Sequence, residues 1–134
     1  MASYDTHMKK YRMFLKDAEN PEVSIPLRIE AYFQAAFHLI EAVAALHNVH
    51  INKHKLVRRV LEQHPEIFGE DSEEVWRAFQ TIENQIRPGQ VYGGRIDGEA
   101  LRKTEELFRR IRRIAEKRLK GVSSLDEGGV RIRL

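Results

Sequence analysis

The segment from Ser24 to His47 constrains the fold more than any other part of this chain. Its Ala31, Ala35, Ala36, Phe37, Leu39, Ile40, Val43, Ala44 and Leu46 surround most of a helical circumference. A helix that is apolar nearly all round is a central one and needs other helices on several sides. Pro26 suits its first turn, where a missing N–H costs no hydrogen bond.

Helical periodicity elsewhere supplies the cover. A first helix is expected from about Ser3 to Ala18, with Met8, Tyr11, Leu15 and Ala18 on one face, stopped by Asn20-Pro21. A third runs from about Lys53 to His64, between an Asn52 cap and Pro65, with Leu56, Val57, Val60 and Leu61 inward. A fourth, from about Ser72 to Ile86, starts on a capping-box-like Asp71 and Glu74. Its stripe is Val75, Phe79, Ile82 and Ile86, with Trp76 beside it. A fifth runs from about Gly98 to Lys120, with Asp97 as cap, Gly121 as stop, and a seam of Leu101, Phe108, Ile111, Ala115 and Leu119. No segment alternates convincingly as a strand. Residues 130–134 alternate briefly but follow Gly128-Gly129 and read as a loose tail. The expectation is an all-α, up-and-down bundle of four or five helices over residues 1–120, with a flexible tail at 121–134.

Composition narrows the function classes. With 42% apolar and 32% charged residues, the chain is too apolar for disorder. No apolar run approaches the ~20 residues of a membrane span, and no apolar signal core follows the N-terminal charges. The expectation is a cytoplasmic protein without membrane contact. The absence of cysteine removes disulfides, thiolate metal sites and cysteine nucleophiles.

Four features invite chemistry. From Arg109 to Lys120 there are seven basic residues and one acidic. Arg102, Arg109, Arg110, Arg113 and Lys117 fall opposite the apolar seam, as a phosphate-binding stripe or as a solvated face held by Glu105–Arg109 and Glu106–Arg110 pairs. Arg118 lies in the apolar arc, snorkelling or facing a partner subunit. His47, His50 and His54 have metal-ligand spacings but straddle a helix end, so surface histidines are the alternative. His38 and Glu41 stand three apart in the central helix, reversed from the Glu-x-x-His of di-iron bundles and not repeated, so they read as polar groups needing partners near the core.

The fourth feature is the run Arg87-Pro88-Gly89-Gln90-Val91-Tyr92-Gly93-Gly94-Arg95. Pro second and Gly third suit a type II turn that ends the fourth helix. Arg87 offers a rigid fork for phosphate or carboxylate, and Tyr92 a stacking face and a hydroxyl. Gln90 and Arg95 add donors. The alternative is a structural loop with Arg87 paired to Glu83.

Taken together, Arg28-x3-Tyr32-Phe33, His38-Leu39-Ile40-Glu41-Ala42, His50-Ile51-Asn52-Lys53-His54, a fourth helix ending in Arg87, the Tyr92-Gly93 loop and a long last helix resemble the HEPN superfamily of nucleotide-binding helical bundles. The resemblance spans about residues 28–117. Many members of that superfamily are dimeric ribonucleases carrying Arg-x4–6-His near the start of the last long helix. Here Arg87 matches the arginine, while Tyr92 or Gly93 fills the histidine position. A tyrosine with a pKa near ~10 is a poor acid or base at neutral pH. The resemblance therefore implies a homodimer that binds RNA or nucleotide without efficient catalysis; with the loop and the basic face read above, the expected ligand contacts are Arg87, Gln90, Tyr92, Arg95, Arg109 and Arg113, with no cofactor. It also implies a possible nucleotidyltransferase partner in a toxin–antitoxin pair. A degenerate metal-independent ribonuclease using Arg87 and Tyr92, and a pure protein-interaction bundle, are the alternatives.

Overall fold

In a computed structural model, residues 3–92, 98–120, 122–125 and 131–133 are described. The bundle is all-α. Its helices are α1 (Tyr4–Ala18), α2 (Ile25–Ala45), α3 (Val57–Gln63), α4 (Ser72–Gln80) and α5 (Gly98–Leu119). The short strands β1 (Val122–Leu125) and β2 (Arg131–Arg133) lie beyond it and pair antiparallel, within the stretch expected as a flexible tail.

α2 is the central helix. Thirteen of its residues are buried, including Ile29, Phe33, Ala36, Leu39, Ile40 and Val43. α1 packs along it, α5 packs against it, and α4 packs on α5. Phe33, Phe68, Phe79 and Phe108 are the bulkiest fully buried side chains. Phe33 stacks on Phe79 with centroids 5.1 Å apart, so the two rings lock α2 to α4.

The helix starts depart from expectation in two places. Asn52 does not cap α3: it stands in the left-handed region with φ 70°, and a short 3₁₀ turn at His54–Leu56 leads into the helix instead. Asp71 does not cap α4 through its side chain either. Its carboxylate accepts from Arg118 Nη2 at 3.2 Å, and the same nitrogen donates to the Phe68 carbonyl. Arg118 thus clamps the α4 entrance from α5, inside this one chain.

The largest departure is at Pro88. No type II turn forms there. Arg87 is helical, with φ −55° and ψ −45°. π-helical segments at Thr81–Ile86 and Pro88–Tyr92 carry α4 onward. Proline cannot donate to an i→i−4 bond and crowds the preceding turn. Widening to the i→i+5 register accommodates it without ending the helix. Asp97 and Gly121, expected to bound α5, lie outside the described residues, as does the Gly93-Gly94 pair.

Candidate functional site

The continuation of α4 brings Arg87 against α2. Its Nε donates to Glu30 Oε1 at 2.6 Å, across 57 positions of sequence. Its guanidinium lies 4.4 Å from the centre of the Phe33 ring. Glu30 is itself steadied by Gln34, whose Nε2 donates to the other carboxylate oxygen at 3.1 Å. A guanidinium held between a carboxylate and an aromatic face is oriented before any ligand arrives.

His54 reaches the same place from the other side. Its ring meets Phe33 edge-on with centroids 5.3 Å apart, and its Nδ1 shares a short hydrogen bond with Glu83 Oε2. His54, Lys55, Glu83, Asn84, Arg87 and Pro88 line one open cleft of about 410 Å³. The site therefore holds an arginine, a lysine, and a histidine backed by a carboxylate. Its members come from the turn before α3, from α2 and from the π-helical end of α4. Phe33 is the shared floor under Arg87 and His54.

The other expected residues are distributed differently. Gln90 is buried, 5% exposed, and so does not present its side chain to solvent. Tyr92 closes the second π segment, and its side chain lies outside the described features. Arg95 lies outside the described residues. Arg109 and Arg113 are exposed on α5, where a second cleft of about 540 Å³ is lined by Arg102, Glu105, Glu106, Arg109, Arg110 and Arg113. Arg109 pairs with Glu105 at 3.8 Å and Arg110 with Glu106 at 2.9 Å, the expected i,i+4 arrangement. Arg28 on α2 also reaches Glu105 at 3.8 Å. Arg28 and Glu30 point ~200° apart around α2. The α5 cleft and the Arg87 cleft have no lining residue in common, so the two positive surfaces are separate.

His47, His50 and His54 do not converge. Among the described residues, the three whose donor atoms gather within 4.8 Å of one another are His7, His38 and Glu41. His7 Nδ1 stands 3.1 Å from His38 Nδ1. Glu41 lies 3.5 Å from His7 Nε2 and 3.7 Å from His38 Nδ1. Burial pushes the His38 imidazole down to about 4, with His7 and Lys10 adding to the effect. Burial also lowers His7, with Lys10 and His50 next in order. It raises Glu41 to about 6, against the pull of an Asn52 backbone hydrogen bond and of Lys10. Two imidazoles are thereby kept neutral beside a carboxyl group whose own charge burial opposes.

His38 and Glu41 announce themselves by their i,i+3 spacing inside an apolar helix. His7 carries a fainter signal. It falls on the buried stripe Tyr4, His7, Tyr11 and Ala18 of α1, where an apolar side chain is the ordinary occupant. Nothing local marks Glu30 or Lys55, because their roles arise only when α2, α3 and α4 meet.

No family model, curated protein or solved structure matches this chain.

Proposed function

We propose that this protein is a HEPN-like bundle that binds the phosphates of RNA or of a nucleotide in the cleft between α2, α3 and the end of α4. The observation that supports it best is the convergence of Arg87, Lys55 and His54 on one open cleft over Phe33. Lys55 is exposed and supplies a mobile point charge. Arg87 supplies an oriented one, suited to a phosphate at a fixed place. The exposed arginines of α5 add a second positive surface that draws a polyanion toward the molecule.

Binding of a short single-stranded RNA, followed by fluorescence anisotropy at several salt concentrations, tests this. Lys55→Ala is the informative variant, because an exposed lysine contributes little to folding. It is expected to weaken binding by roughly tenfold and to reduce the salt slope by about one. Affinity unchanged in both Lys55→Ala and Arg87→Ala would sink the reading.

A metal-independent ribonuclease is the second reading, and the His54–Glu83 pair favours it. The histidine that the Arg-x4–6-His window lacks stands beside Arg87 in space, drawn from an earlier part of the chain. An imidazole backed by a carboxylate is the arrangement of a general base, and Arg87 would stabilise the developing phosphorane charge. Labelled RNA incubated with the protein in chelator separates the readings: cleavage lost in His54→Ala supports the enzyme, and intact RNA supports the binder. The proposal extends to a homodimer, tested by light scattering, and to a nucleotidyltransferase partner. A tight complex with such a protein but no RNA affinity would make the chain an interaction module instead.

A further inference from the structure

The His7–His38–Glu41 cluster is independent of the Arg87 cleft, and nothing in the proposed function uses it. We propose that it is a binding site for one zinc-class divalent transition metal ion, held between α1 and α2 by two imidazole nitrogens and a carboxylate oxygen.

The geometry fits. Donors 2.0–2.2 Å from such an ion lie about 3.3–3.6 Å apart at a tetrahedral angle. The shortest separations here, 3.1 Å from His7 Nδ1 to His38 Nδ1, 3.5 Å from His7 Nε2 to Glu41 Oε2 and 3.7 Å from His38 Nδ1 to Glu41 Oε1, draw on both His7 nitrogens and both Glu41 oxygens, so a small turn of the His7 ring and the carboxylate completes the set. His7 offers one of its two nitrogens to an ion, and with one donor atom from each residue the set stays within 4.8 Å. The ring-to-carboxylate distances are too long for good hydrogen bonds, so Glu41 is gathered with the two rings without being closed onto either. Its exposure is only 5%, and His7 matches it at 5%. The His7–His38 hydrogen bond and the Asn52 backbone bond to Glu41 satisfy these groups only in part, and a buried carboxylate beside two imidazoles stays costly unless more joins them. A shared cation accounts for all three.

The surroundings set the class of ion. Phe14 stacks on His38 with its plane 5° from parallel and its centroid 5.7 Å away. Phe37 covers the same ring from another side, 5.6 Å off. Nitrogen donors in an apolar shell select Zn²⁺, Fe²⁺ or Co²⁺ over Mg²⁺ and Ca²⁺, which take oxygen ligands. Three protein donors leave a fourth position for water or another ligand. Lys10 is the nearby positive charge that opposes an ion. It is exposed, so solvent screens it.

The test uses the tag-free full chain, stripped with chelator and titrated with Co²⁺. One equivalent is expected to bind with the visible absorption of low-symmetry cobalt, and saturating Zn²⁺ to raise the thermal midpoint by ~10 °C at a hundredfold excess over Kd. Mg²⁺ should do neither. Glu41→Gln and His7→Phe, each confirmed helical and cooperatively melting in chelator, should lose more than ~10-fold in Co²⁺ affinity, the loss caused by removing even an outer partner of a metal site. His47→Ala and His64→Ala should keep both signals. Absence of the cobalt bands and of the thermal shift in the unmodified chain overturns the proposal whatever the variants do. So does a signal that survives Glu41→Gln and His7→Phe but disappears in His47→Ala.

Discussion

Arg87 is tied into the protein before it meets any ligand. Its bond to Glu30 and its stacking on Phe33 join the end of α4 to α2. Removing the side chain takes the cation from a carboxylate that is only a quarter exposed and leaves Gln34 holding its other oxygen. Arg87→Ala is therefore expected to cost about 1–3 kcal/mol, toward the lower end because water still reaches Glu30. Arg87→Lys should fall between, keeping charge but losing the planar fork and the ring contact. Urea unfolding of the three proteins checks the order; equal midpoints would mean the Arg87–Glu30 bond contributes nothing to folding. This double role separates the two cleft cations. Arg87 variants mix stability with binding, whereas Lys55 variants report binding alone. At this scale the sequence was half informative. Arg87 stands out by its type and neighbours, but Glu83, four residues earlier and the natural local partner, holds His54, and Arg87 bonds a residue that no spacing rule connects to it.

Two junctions between elements carry predictions of their own. The turn before α4 depends on Gly69, whose φ is +56° and whose hydrogen faces the Arg118 guanidinium. A Cβ there would lie 3.3 Å from Arg118 Nη2. Gly69→Ala is expected to cost about 1–2 kcal/mol from the left-handed backbone, before any shift of Arg118. Thermal or urea unfolding reads this, and Gly69→Asn should recover part of the loss. The α1–α2 junction depends on pH. Without bound metal, unfolded histidine takes up a proton near 6.5, while folded His38 refuses it until about 4. Stability therefore falls as pH drops through that window, and the lowered His7 acts in the same sense. Glu41 acts oppositely, since its folded carboxyl binds a proton near 6 and its unfolded one near 4.5. The His38 displacement is the larger, so the net change is a loss. In excess chelator the urea midpoint should be lower at pH 5 than at pH 7, and His38→Phe should flatten the difference. Equal midpoints in the unmodified protein would contradict the burial of the cluster. The helices themselves were legible because their apolar stripes recur at helical spacing. Their joints were not: Pro88 reads as a stop in any local rule, and only the packing of Ile82 and Gln90 into the bundle explains why the chain stays helical past it in a wider register.

For the whole molecule, the separation of the two positive surfaces decides how each should act. Arg109 and Arg113 line a cleft that has no lining residue in common with the Arg87 cleft, so they act apart from Lys55. Their contribution to RNA binding is through the field of the molecule, which steers a polyanion toward it and depends on ionic strength. Replacing both by serine takes the formal net charge from +3 to +1. Both side chains are exposed, and among the described residues only Arg109 has a close carboxylate, itself shared with Arg28, so the fold should be unaffected within about 0.5 kcal/mol. At low salt the double variant should bind RNA several-fold more slowly with an unchanged dissociation rate. Near physiological ionic strength, where charges are screened beyond ~8 Å, the difference should fade. Lys55→Ala should behave in reverse, with faster dissociation that persists as salt is added. Stopped-flow association at two salt concentrations distinguishes them. A double variant that dissociates faster, with Lys55→Ala unaffected, would move the binding site from the Arg87 cleft to the face of α5.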